Sequence, residues 1–151
     1  MPPPASRRPA FRKPLSPAGH RRVDTIALPG LLALAGLTAL LGDRRTAALM
    51  GVVAAGEGAA MLTTAYPPRV AAGWLSFRQH VAVANLHGLF IAGLALLVPG
   101  VPRRGRLALL ALALVPWTLN ALSRVPPPGE GGPRASTPRP RASGRRADEP
   151  V

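Results

Sequence analysis

One acidic residue, Glu57, lies in the apolar and small-residue stretch GVVAAGEGAAMLTTAYPP at residues 51–68. Ionisable groups are costly in such segments and often mark functional sites. Glu57 precedes Tyr66 by nine residues, which is about 13 Å along a helix. His87 follows Phe77 by ten residues, or about 15 Å, so the two side chains fall at similar depths. We therefore expect Glu57 and His87 to form a polar pair between neighbouring antiparallel helices.

A second polar layer is predicted from the same helical faces. Thr64 follows Glu57 by seven residues, and His80 precedes His87 by seven. Seven residues are close to two helical turns, so each pair lies on one face about 10.5 Å apart. Both Thr64 and His80 then fall near the inner end of their helices. We expect these two residues to line an inner mouth that leads to the Glu57 and His87 pair.

Three roles remain open for this set of side chains. Glu57 could serve packing alone, hydrogen-bonded to a carbonyl or to Thr63. It could instead belong to a proton or cation path, or to a catalytic or ligand-binding pair with His87. Burial favours the neutral forms of both groups, whereas pairing favours the charged forms. The sequence does not decide between these opposing effects.

Metal and haem chemistry is not expected from the residue inventory. The chain has three histidines and no cysteine. His80 and His87 lie on one face of one helix, about 10.5 Å apart, so they cannot bind one haem iron from opposite sides. His20 is assigned to a disordered tail, which leaves fewer than the three clustered ligands that a zinc site needs. The sequence therefore predicts no metal and no cofactor.

Four apolar segments must position these residues. The length of each segment is close to the 20 or so residues that a helix needs to cross a bilayer, and none has the polar face of a soluble helix. The sequence predicts an all-α integral membrane protein, with four transmembrane helices in an antiparallel up-down bundle. The predicted spans cover residues 23–42, 46–66, 77–98 and 107–123.

Basic tails flank the predicted membrane domain at residues 23–123. Residues 1–22 and 124–151 are rich in Pro, Gly, Ser and Arg, which predicts disorder. The net charge is +13, but the basic residues flank apolar segments, so we expect anionic lipids and not nucleic acid as partners. Fourteen of the nineteen basic residues fall on the side of the termini. This excess predicts a plasma-membrane protein with both termini in the cytoplasm.

Aromatic and basic residues at the ends of the spans are expected to anchor the helices at the membrane interface. Tyr66, Trp74 and Trp117 fit an aromatic belt on the inner side, and Arg78 can extend its guanidinium group to the lipid headgroups.

Four spans in a chain of 151 residues give a layout similar to that of the DoxX-like membrane proteins. The layout also resembles the four-span sterol isomerase fold of the emopamil-binding family, whose sites use intramembrane acids. The resemblance covers the topology of residues 23–123. It implies a small four-span membrane domain.

The four apolar segments, and the basic and aromatic residues at their ends, indicate membrane insertion, helix packing and lipid anchoring. They favour an accessory subunit or scaffold without catalysis of its own, within a larger membrane complex or a homo-oligomer. One alternative is an oligomeric proton-coupled carrier that titrates Glu57 and His87. Another is a membrane isomerase that uses the same two residues as acid and base on a lipid-soluble substrate.

Overall fold

The structure is a computed structural model that describes residues 13–66 and 73–127. These residues are mostly helical. In chain order the elements are α1 (Pro17–Leu40), α2 (Arg44–Thr63), β1 (Thr64–Ala65), β2 (Leu75–Ser76), α3 (Phe77–Leu97) and α4 (Arg103–Leu122). All four helices are long and apolar enough to cross a membrane. The prediction of four such helices is confirmed.

Local capping signals determine where the helices begin. Ser16 accepts a hydrogen bond from the Gly19 amide at 3.1 Å, and Pro17 occupies the first turn of α1, where its missing N–H costs nothing. Ser76 and Gln79 form a reciprocal capping box at the start of α3. Each cap satisfies amide groups that the first helical turn leaves free.

Helix α1 begins six residues earlier than the span predicted at residues 23–42. The segment at 17–22 was expected to belong to a disordered tail, because hydropathy gives little weight to polar residues that precede an apolar run. Helix α4 likewise begins at Arg103 and not at residue 107, and α2 ends at Thr63. The remaining parts of the tails, residues 1–12 and 128–151, lie outside the described residues.

The helices pack mainly in consecutive pairs, α1 with α2 and α3 with α4, and α2 also contacts α3 and α4. A buried apolar cluster joins the four helices and includes Ala35, Met50, Ile91 and Leu109. Small residues allow close approach between helices, as at Gly88, where a Cβ atom would lie 2.9 Å from the carbonyl oxygen of Ala113. The outward faces of the helices remain apolar, with Leu40 87% exposed and Leu97 82% exposed.

Two short backbone pairings draw the helix ends together at one end of the molecule. Strands β1 and β2 pair in parallel, with Thr64 opposite Leu75 and Ala65 opposite Ser76. The Leu15 amide donates to the Leu122 carbonyl at 3.0 Å, and the Arg124 amide donates to the Leu15 carbonyl at 2.7 Å. The start of α1, the end of α2, the start of α3 and the end of α4 therefore meet in one region.

The opposite end of the molecule uses arginine to satisfy free carbonyl groups. Arg106 donates to the carbonyls of Ala95 at 2.8 Å and of Leu96 at 2.9 Å, at the end of α3. Arg45 donates to the Pro99 carbonyl at 2.7 Å. Arg106 therefore satisfies carbonyl groups in the last turn of α3, and Arg45 satisfies one in the loop that follows.

Candidate functional site

A cluster of buried polar side chains lies where the four helix ends meet. His20 and Asp24 come from α1, one turn apart, and His80 comes from the first turn of α3. Tyr66 follows β1 and lies between these two helices. His20 and Asp24 are each 1% exposed and His80 is 0% exposed, so the group is shielded from the surroundings.

The Asp24 carboxylate is the centre of the cluster. Its Oδ2 atom accepts a hydrogen bond of 2.6 Å from the Tyr66 hydroxyl. The same oxygen lies 3.5 Å from Nε2 of His20 and 3.5 Å from Nε2 of His80. Tyr66 Oη is itself 3.4 Å from His80 Nε2. One carboxylate oxygen therefore faces two imidazoles and one phenol.

The opposite nitrogen of each imidazole contacts a hydroxyl group. His20 Nδ1 lies 2.7 Å from Ser123 Oγ, and His80 Nδ1 lies 3.0 Å from Thr64 Oγ1. Ser123 donates its own hydrogen to the Leu119 carbonyl at 2.7 Å, and Thr64 donates to the Ala60 carbonyl. Each hydroxyl is thus left to accept, so the network assigns the imidazole hydrogen to Nδ1 in both residues.

Aromatic packing holds the two imidazole rings in place. The Phe77 ring meets the His20 ring edge to face at 5.1 Å between centroids, and it stacks with the His80 ring at 6.1 Å. The two imidazole rings are 5.3 Å apart and nearly perpendicular. These contacts and the hydroxyl contacts at Nδ1 together restrict the direction of both Nε2 atoms.

A cavity of about 270 Å³ extends from the cluster between the helices. His20, Asp24 and His80 border it, and most of its remaining wall is apolar, with residues from all four helices such as Leu31, Val53 and Leu112. Asn120 also lines the cavity. Its Nδ2 group donates to Val81 O and Asn85 Oδ1, while its buried Oδ1 has no hydrogen-bond partner among the described residues.

Glu57 and His87 both line this cavity, but they do not form the expected hydrogen-bonded pair. His87 Nε2 contacts the Val53 carbonyl at 3.2 Å and packs against Gly56, where a Cβ atom would lie 2.6 Å from His87 Cε1. Within residues 13–66 and 73–127, Glu57 has neither a hydrogen bond nor an ion pair. Similar depth does not bring the two side chains together, because the rotation of each helix decides where its side chains point.

The other residues predicted to line the inner mouth or to anchor the helices differ in burial and in their contacts. Thr64 and His80, expected at an inner mouth, contact each other directly. Trp74 is 88% exposed, and Arg78 is exposed at the start of α3, as an interface anchor would be. Tyr66, in contrast, is 4% exposed and bonded to Asp24. Trp117 is 36% exposed and donates to the Asn85 carbonyl at 2.9 Å.

The expectation that three clustered ligands are lacking is contradicted by the cluster geometry. His20, Asp24 and His80 offer three possible metal-ligating atoms within 4.8 Å of one another. The cluster was not predicted because His20 lies in a polar segment that was assigned to the tail, whereas it belongs to α1. The Ser16 and Pro17 start signal, followed by His20 and Asp24 four residues apart, could have identified the first turns of α1 and their shared face.

No protein-family model matches the chain, and comparisons with curated proteins and with solved structures find no significant match.

Proposed function

We propose that this chain is a multi-pass plasma-membrane protein that binds a small, lipid-soluble molecule between its helices. The cavity carries this proposal. Its volume of about 270 Å³ is near the lower bound of ligand pockets, about 300–1,000 Å³, and its wall is apolar with a few convergent polar groups. Asn120 is one of the few polar residues on that wall, which suits a ligand that carries a hydroxyl group.

The proposed arrangement is an antiparallel up-down bundle with both termini in the cytoplasm. Short connections between α1 and α2 and between α3 and α4 support the antiparallel order. Exposed apolar side chains, such as Ile26 at 74% and Leu62 at 78%, support burial of the outer faces in lipid. The excess of basic residues in and near the termini supports the cytoplasmic placement and a contact with anionic lipid headgroups.

A photoreactive alcohol such as 3-azioctanol tests the binding proposal in bilayer nanodiscs. We expect labelling of residues that line the cavity and protection by excess octanol. Ala84 is buried on the cavity wall, so Ala84→Leu should fill the space and reduce this labelling. Ala82→Leu makes the same change on the exposed face of α3 and should leave the labelling unchanged. Equal labelling of both variants, or labelling of lipid-facing residues alone, would rule the proposal out.

The accessory-subunit and scaffold roles expected from the sequence stay predictions. They are compatible with ligand binding, since a bound lipid-soluble molecule can be presented to a larger complex or held by a homo-oligomer. Co-purification from native membranes with mild detergent tests both assemblies. The proton-carrier and isomerase alternatives also stay predictions, and they require Glu57 and His87 to act across the cavity without a direct hydrogen bond.

A further inference from the structure

We propose that His20, Asp24 and His80 bind a divalent transition-metal ion of the Zn²⁺ type. The chemistry of the three residues fits, because two imidazole nitrogens and one carboxylate oxygen are common zinc ligands. They come from two helices and converge at one point. The inference stands on the geometry of this cluster and does not require the cavity to hold a lipid-soluble molecule.

The distances match the spacing of ligands around a tetrahedral ion. Zinc lies about 2.0–2.2 Å from nitrogen and oxygen ligands, so neighbouring ligand atoms are about 3.4 Å apart. The Asp24 Oδ2 atom is 3.5 Å from each of the two Nε2 atoms. All three ligating atoms lie within 4.8 Å of one another. A small adjustment of side-chain torsions would therefore place three ligands around one ion and leave a fourth position open.

The hydrogen-bond network supplies a second, independent observation. Because Nδ1 carries the hydrogen in His20 and in His80, both Nε2 atoms present lone pairs toward Asp24 Oδ2. Two lone pairs and a carboxylate oxygen repel one another in a buried site unless a cation lies between them. When both imidazoles are neutral, neither Nε2 atom donates to the carboxylate, and a metal ion satisfies all three atoms at once.

The groups around the ligands behave as an outer shell of a metal site. Metal-bound imidazoles usually donate their other N–H to an oxygen atom, which fixes the ring orientation. Ser123 and Thr64 accept these hydrogens, and each hydroxyl donates to a backbone carbonyl of the helix that precedes it. Tyr66 donates to the ligating carboxylate oxygen. The ligands are thus oriented by the fold.

Zinc binding can be measured on the full chain, purified without a histidine tag in detergent and stripped with EDTA. We expect one Zn²⁺ per chain in competition with a chromophoric chelator. Asp24→Asn and His80→Gln should abolish stoichiometric binding. His87→Gln removes an imidazole from the same cavity but not from the cluster, and it should bind Zn²⁺ as the wild type does. Ser123→Ala should weaken binding by about 10- to 100-fold, the usual effect of losing an outer-shell partner.

Co²⁺ substitution of the wild-type protein gives a readout that does not depend on how the variants fold. Intense visible d–d bands of tetrahedral Co²⁺ would support the site, and only the weak bands of octahedral Co²⁺ would overturn it. The absence of stoichiometric Zn²⁺ in the wild type, or unchanged binding by Asp24→Asn, would also overturn it. Ala84→Leu should leave Zn²⁺ binding intact, so failure of the cavity proposal and failure of the metal site give different results.

Discussion

At the scale of single residues, the site depends on groups that would be costly to bury alone. The Asp24 carboxylate is 1% exposed and obtains its one short hydrogen bond from Tyr66. A buried charged group without a partner loses its hydration and gains nothing in return. Tyr66 is therefore better described as a structural donor within the cluster than as an interface anchor.

Replacing Tyr66 with phenylalanine tests this description. Tyr66→Phe keeps the ring but removes the donor to Asp24, which should destabilise the protein by about 1–3 kcal/mol. Thr118→Val is a control, because it removes an exposed hydroxyl that bonds only within its own helix, and it should change stability by less than about 0.5 kcal/mol. Thermal unfolding in detergent measures both. Equal midpoints for Tyr66→Phe and wild type would contradict the structural role.

Asp43 is the residue through which acid should weaken the start of α2. The Thr46 side chain, and after it the Thr46 amide, which donates to the Asp43 carboxylate at 3.1 Å, hold the pKa of the carboxyl group below its usual value. A lowered pKa means that the contribution to stability is complete above the unfolded-state pKa and is lost as pH falls through the folded-state pKa.

We therefore expect the stability difference between wild type and Asp43→Asn to be constant from neutral pH to about pH 5 and to shrink below that. Thermal unfolding midpoints between pH 3 and pH 7 provide the measurement. A difference that grows toward acid pH would show that the carboxylate does not stabilise the folded protein.

At the scale of the elements, close contact between α3 and α4 depends on a glycine. A Cβ atom at Gly88 would lie 2.9 Å from Ala113 O and 3.2 Å from Trp117 Nε1. The first contact is with backbone, and the Trp117 indole is held by a hydrogen bond to Asn85, so neither neighbour can easily move away from an added Cβ atom. Gly93, five residues later on the same helix, has no atom within 4 Å of the equivalent position.

Gly88→Ala should therefore destabilise the protein by about 1–3 kcal/mol through overpacking. Gly93→Ala is the matched control. It should be neutral or stabilising by up to about 1 kcal/mol, because alanine favours the helix over glycine. Thermal unfolding of the two variants under identical conditions compares them. If both changes had the same effect, the tight α3 and α4 contact would not be important for stability.

The elements also show what the sequence could and could not predict. Runs of about 20 apolar residues have few alternatives to a long helix, so the four helices follow directly from composition. Helix α1 was predicted to begin too late because its first turns are polar and are recognised by their cap. The Glu57 and His87 pair was expected from similar depth on neighbouring antiparallel helices. Packing between the helices sets the rotation of each helix about its axis and the path of the chain after α2. This packing brings Tyr66 and His20 to Asp24, and it cannot be read from the order of residues.

At the scale of the whole molecule, most of the apolar surface lies on the outside. In the four spanning windows only 11% to 33% of residues are buried. Soluble proteins rarely expose such continuous apolar surface, which supports the proposed lipid environment. The orientation proposed for the chain in that environment is based on the distribution of arginine and lysine.

The orientation can be tested with single cysteines, since the natural chain has none. Leu41→Cys lies between α1 and α2, at a position that is 69% exposed. We expect a membrane-impermeant maleimide to label it in intact cells. Ser6→Cys, in the N-terminal tail, should be labelled only after the membrane is opened. The reverse pattern would place both termini outside and would contradict the proposed topology.

The contact between His20 and Ser123 joins the first helix to the residue just after the last one. During synthesis, His20 emerges from the ribosome about one hundred residues before its partner does. The complete cluster therefore cannot form before Ser123 has been made, and a product that stops before α4 lacks the hydroxyl that orients His20. Formation of the whole cluster therefore reports that α4 has joined the three helices made before it.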